Sequence, residues 1–95
     1  MKRELIEPWE WEHLTVRKRC MEWARVNPGT VWMRELRTFQ FQVKKIPDCF
    51  GNQPYFKIWA RPVATRWKDD AWNAVGNEAT VLKAQRAAEA YCETN

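Results

Sequence analysis

Tyr55-Phe56-Lys57-Ile58-Trp59-Ala60-Arg61-Pro62 is the stretch on which the fold turns. Phe56, Ile58 and Ala60 fall on one side, and Tyr55, Lys57, Trp59 and Arg61 on the other. A period of two is the signature of a half-buried strand. Pro62 has no N–H to give to a ladder and marks the strand end. Reading back, Phe39, Phe41 and Val43 alternate with Gln40, Gln42 and Lys44 in the same way. Between the two lies the turn-rich loop Pro47–Gln53, so the pair is predicted to form an antiparallel hairpin. Further back, Val31 and Met33 alternate with Trp32 and Arg34. With a break near Leu36–Arg37, Thr30–Ile46 reads as two strands or one bent strand.

Helices are expected on both sides of these strands. Pro8–Val26 is read as the first, with Pro8 at a first helical position. Val16, Cys20, Trp23 and Ala24 sit on one stripe, and the reading is firmest from Leu14. Trp9-Glu10-Trp11-Glu12 alternates and could be extended instead. Asn77–Glu93 is read as the second helix, with Asn77 as N-cap, Glu78 in the first turn, and Val81, Ala84, Ala88 and Tyr91 as the apolar stripe. Ala64–Val75 fits a third strand, a loop or a short helix. The expected fold class is therefore α+β: an N-terminal helix, an antiparallel sheet of two or three strands, and a C-terminal helix packed on one face. With 95 residues, residues 1–95 are expected to make a single domain.

Charge is unevenly spread. The formal net charge is +4, and Arg17–Lys45 holds Arg17, Lys18, Arg19, Arg25, Arg34, Arg37, Lys44 and Lys45 against only Glu22 and Glu35. Cys49–Lys68 adds Lys57, Arg61, Arg66 and Lys68 with no acid. The first dozen residues carry Glu4, Glu7, Glu10 and Glu12. One electropositive face or end follows, which suits an anionic partner.

Chemistry-bearing motifs are scarce. Cys20, Cys49 and Cys92 are widely spaced and His13 is the sole histidine, a poor zinc set. No metal site and no cofactor is expected. An odd number of cysteines without a leader reads as free thiols in a reducing cytoplasm. No stretch approaches the roughly 20 apolar residues of a membrane span. Asp69-Asp70 would point apart on a strand or helix. No phosphate-loop, dinucleotide or zinc-protease spacing occurs, so the chain does not read as an enzyme.

Seven tryptophans are the compositional anomaly. Each indole carries on the order of 150–250 Å² and an N–H needing a partner when buried. One small core cannot readily hide them all, and exposed indoles are favoured anchors in interfaces. The candidate partner-binding residues are Tyr55, Lys57, Trp59 and Arg61 on the strand face, with Trp9 and Trp11 near the start. The alternative is direct DNA or RNA binding, with rings stacking on bases and cations on phosphates. Its candidate residues are Arg17, Lys18, Arg19, Lys57, Arg61, Arg66 and Lys68. Against both stands a plainer reading, in which Trp59 is packed under the N-terminal segment and the Lys57 and Arg61 stems cover it.

The segment Asn77-Glu78-Ala79-Thr80-Val81-Leu82-Lys83-Ala84-Gln85-Arg86-Ala87-Ala88-Glu89-Ala90 resembles the closing helix of small early-region accessory proteins of temperate (lambdoid) bacteriophages, most closely over Leu82–Glu89. The resemblance covers roughly a sixth of the chain and carries no site motif. It implies a non-catalytic accessory protein in the cytoplasm of a bacterial host. Such a protein would bind and modulate a host nucleic-acid-processing or defence protein, as an inhibitor of anti-nuclease type for example. A host protein is thus the first expected partner and nucleic acid the second, with the chain a monomer or a homodimer.

Overall fold

The computed structural model describes residues 5–47, 53–65 and 71–94. Among these residues, six strands make one sheet and pair in chain order. They are β1 (Leu5–Ile6), β2 (Ala24–Val26), β3 (Val31–Leu36), β4 (Phe39–Ile46), β5 (Tyr55–Pro62) and β6 (Asn73–Glu78). The helices are α1 (Pro8–Glu12), α2 (Val16–Met21) and α3 (Val81–Thr94). A 3-10 turn follows β5 at Val63–Thr65.

The hairpin of β4 and β5 holds the two longest strands, both inside the sheet, and its register follows the alternation of the sequence. Phe41 faces Ala60 and Val43 faces Ile58 across the ladder, while Gln42 faces Trp59. β3 turns into β4 through Arg37 and Thr38, with Arg37 in the left-handed region at φ 54°. α3 lies on the apolar side of the sheet. Ala84, Ala88 and Cys92, four residues apart, are buried against Phe41, Val43, Ile58 and Ala60. The small alanines let the helix approach closely, and Tyr91 meets the rings of Phe39 and Phe41 edge-on. Each fully buried Phe, Ile or Val side chain contributes about 1.5–3 kcal/mol.

A second, smaller cluster sits on the opposite side. Trp11, Val26 and Met33 are buried there, with Ile6, Leu14, Ala24, Val31 and Trp72 packed around them. α2 packs along β3, and the Arg34 guanidinium, reaching from the α3 side, donates to the carbonyls of Cys20 (3.0 Å) and Met21 (3.2 Å) and to Glu89 of α3 (2.9 Å).

The expected architecture is corrected in three places. The sheet has six strands and is mixed, not two or three antiparallel strands, because β1 runs parallel to β2. A parallel pair needs a crossover of a dozen or more residues, and Glu7–Trp23, with its two short helices, supplies it. The single N-terminal helix is therefore absent. Its reading failed at Glu12–Thr15, where the helix stops and restarts with Thr15 Oγ1 accepting from the Lys18 N–H at 3.2 Å. The stripe that was to extend through Trp23 and Ala24 ends at Met21, and Ala24 belongs to β2. At the other end, Asn77 and Glu78 finish β6 rather than capping a helix. The cap of α3 is Thr80, whose Oγ1 accepts from the Lys83 N–H at 3.2 Å.

The turn joining β2 to β3 carries, among the described residues, the glycine at positive φ. Gly29 is buried with φ 97° and its carbonyl accepts from Arg25 Nε at 2.9 Å. An L-residue is disfavoured in that conformation.

Candidate functional site

The sheet face turned away from α3 divides into a sealed half and an open half. In the sealed half, Glu35, Gln40 and Arg61 stand side by side on β3, β4 and β5. Arg61 Nε donates to Gln40 Oε1 at 2.8 Å, and Gln40 Nε2 donates to Glu35 Oε1 at 3.3 Å. Arg19 of α2 pairs with the same Glu35 oxygen at 2.9 Å, and its Nη1 donates to the Leu14 carbonyl. Arg61 also reaches Glu12 at 3.4 Å. Two indoles close the row, with Trp72 4.4 Å from the Arg61 guanidinium and Trp11 5.6 Å from that of Arg19. Arg61 is only 4% exposed and Trp11 is fully buried. A chain of charge-assisted bonds of this kind keeps buried ions tolerable.

In the open half, the register brings together residues from three strands. Lys44 of β4 lies directly opposite Lys57 of β5, and Lys57 lies opposite Asn77 of β6. In the adjoining row Gln42 faces Trp59, which faces Ala74. Tyr55 stands at the start of β5, 40% exposed. Directly opposed residues hold their Cβ atoms about 4.5–5.5 Å apart, and like charges there are destabilising. Among the described residues neither Lys44 nor Lys57 has a carboxylate partner. Lys57 instead lays its ammonium over the Trp59 ring, 4.6 Å from the centroid. The residues flanking the two lysines on this face, Val31, Gln42, Trp59, Tyr55 and Asn77, include no acid.

The structure thus separates residues that the sequence grouped. Tyr55, Lys57 and Trp59 share the open half. Arg61, on the same side of β5, is locked in the sealed half. Trp9 is 63% exposed on α1 and edge-on to His13, whereas its expected companion Trp11 is inside. Arg17 and Lys18 are exposed on α2 while Arg19 points in and pairs. Of the other indoles, Trp23, Trp32, Trp59 and Trp72 are half-buried. Arg66, Lys68, Trp67, Asp69, Asp70 and Cys49 lie outside the described residues. Lys44, Gln42 and Asn77 are not among the candidate site residues read from the sequence, where Asn77 reads as a helix cap. Lys44 and Gln42 were nonetheless readable, because a hairpin folded about the middle of the Pro47–Pro54 loop sets Lys44 opposite Lys57.

No family model, curated protein or solved structure matches this chain. What the site does has to be read from its own chemistry. Among the described residues no three His, Cys, Asp or Glu side chains gather as metal ligands. No helix among them is long and apolar enough to cross a membrane. Cys20 and Cys92 carry free thiols, the latter buried. Away from this face a concave region lies between α2 and β2, with a volume of about 660 Å³ and Leu14, Met21, Trp23 and Trp32 in its lining.

Proposed function

We propose that this protein is a non-catalytic binding module that captures an anionic partner on the open half of the sheet face. The observation that carries the proposal is the Lys44–Lys57 pair. Two cations stand directly opposite one another with no acid among their described neighbours. That arrangement costs stability in the free protein and is relieved by an anion seated between the two ammonium groups. Calorimetric titration with inorganic polyphosphate at low salt tests it. Binding that weakens steeply as salt rises, and that disappears in Lys44→Glu, is expected. Binding unchanged in that variant overturns the proposal.

A second reading is supported by a different surface. Trp9 and Met21 are each 63% exposed, with Val16 close behind, and Met21 stands on the rim of the α2–β2 cavity. These are the side chains of a protein-docking surface. They suit an accessory protein of the kind that the bacteriophage resemblance implies, acting on a host nucleic-acid-processing or defence protein. Trp9 and Met21 would be the anchors, while Trp11, fully buried, takes no part. The check is stoichiometric recovery of a host protein by the wild-type chain. A Trp9→Ala/Met21→Ala variant should lose that recovery while Lys44→Glu keeps it; equal recovery by all three would remove this reading.

A further inference from the structure

The chemistry around the lysine pair narrows the anion. We infer that its occupant is single-stranded nucleic acid, with a phosphate between Lys44 and Lys57 and a base on Trp59. This rests on the reading of the open half as an anion site.

Three features select this class of anion. The first is the ring beside the cations. Trp59 is half-buried and presents its π face to Lys57, whose ammonium lies 4.6 Å from the ring centroid. In the free protein Lys57 occupies the place a stacked base would take. A backbone phosphate between Lys44 and Lys57 draws the ammonium away and uncovers the ring. One movement therefore satisfies the charge and opens the stacking platform. Aromatic platforms beside a cationic track are how sequence-tolerant single-strand binders work.

The second is spacing. Tyr55 and Trp59 are four residues apart on the same side of β5, about 13 Å at the usual rise. A stacked strand advances about 3.4 Å per nucleotide, so the two rings bracket roughly four nucleotides, the lower end of single-strand site sizes. The Lys44–Lys57 row lies between them. The third is the polar fringe. Gln42 and Asn77 sit beside the lysines and carry neutral amides. An amide can donate to and accept from a base edge, which a bare phosphate chain would not use.

Base-paired DNA keeps its bases stacked inside and cannot use Trp59. An acidic protein would be expected to set apolar side chains against the centre of the patch, but that centre is two lysines.

The test is fluorescence anisotropy at low salt with a fluorescein-labelled octathymidylate. Inorganic polyphosphate, poly-glutamate and the same oligonucleotide annealed to its complement serve as competitors. Expected are binding of the single strand, a change in indole emission, and competition by the duplex at least tenfold weaker. Trp59→Leu should weaken the oligonucleotide about tenfold or more and leave polyphosphate affinity unchanged. Lys44→Glu should remove both. Circular dichroism of each variant confirms that the sheet is intact. Should Trp59→Leu bind the oligonucleotide as the wild type does, or polyphosphate compete as well as the single strand, the anion site stands and the nucleic-acid inference falls. Poly-glutamate outcompeting the oligonucleotide also overturns it, in favour of an acidic protein. Failure of every polyanion to bind overturns both readings.

Discussion

Arg61 and Lys57 stand on the same side of the same strand, and each rests a cation on an indole, at 4.4 Å and 4.6 Å. Their surroundings make them opposites. Arg61 is enclosed, with Gln40 and Glu12 to receive its N–H groups. Lys57 faces a second lysine at the open surface. A cation on a ring is therefore no guide to its role. What separates the two cations on this face is whether the strand opposite supplies an acceptor or another positive charge.

Breaking the sealed half should cost the most. Glu35→Ala strands the Arg19 guanidinium and the Gln40 amide, and a loss of about 3–5 kcal/mol in urea unfolding is expected. A smaller loss would mean that Arg19 simply swings out to water. Trp11→Ala should lose a similar amount, about 3–5 kcal/mol, by emptying the second cluster. Trp11→Phe sharpens the point. The indole N–H of Trp11 is buried with no acceptor among the described residues, a penalty of about 1–3 kcal/mol. Phenylalanine removes that group while keeping most of the ring, so this variant should stay within about 1.5 kcal/mol of wild type.

The open half should respond with the opposite sign. Lys44→Glu replaces a repulsive cross-strand pair by an attractive one. A gain of a few tenths of a kcal/mol, up to about 1, is expected together with loss of polyanion binding. A loss of stability with polyanion binding retained would show that the lysine pair serves stability rather than capture. Smallest is Arg37→Gly at the β3–β4 turn, where the left-handed backbone favours glycine. A change between zero and about 1 kcal/mol in the stabilising direction is expected, with polyanion affinity unaltered.

The two halves also differed in how far they could be read in advance. The alternation in Phe39–Val43 and Tyr55–Arg61 placed the central hairpin and its two sides correctly. The strand Asn73–Glu78 carries little β-preference of its own, with one β-branched residue and a glycine. It is a strand because β5 offers it a free edge, which no local pattern records. β1 and β2 are two and three residues long, too short for any periodicity. The division of Tyr55, Lys57, Trp59 and Arg61 between open and sealed halves was equally hidden. It depends on which part of the sheet α1 and Trp72 happen to cover, and that is long-range packing. The expectation that one small core would leave some indoles partly exposed is met among the described residues by Trp9, exposed, and by Trp23, Trp32, Trp59 and Trp72, half-buried, while Trp11 is sealed. The covered rings found room because the sheet buries side chains on both of its faces.

The order of the strands has a consequence for assembly. Neighbours in the sheet are neighbours in the chain, so from β2 onward successive strands meet by local turns or short connections, a topology that favours rapid folding. The parallel joining of β1 to β2 must close a long arc of chain, and among the described residues two residue pairs reward it. Amide exchange should accordingly be slowest in β4 and β5 and fastest at Leu5–Ile6. The lysine-bearing surface belongs to the most persistent part of the molecule, and fraying of the amino-terminal layer would leave it in place.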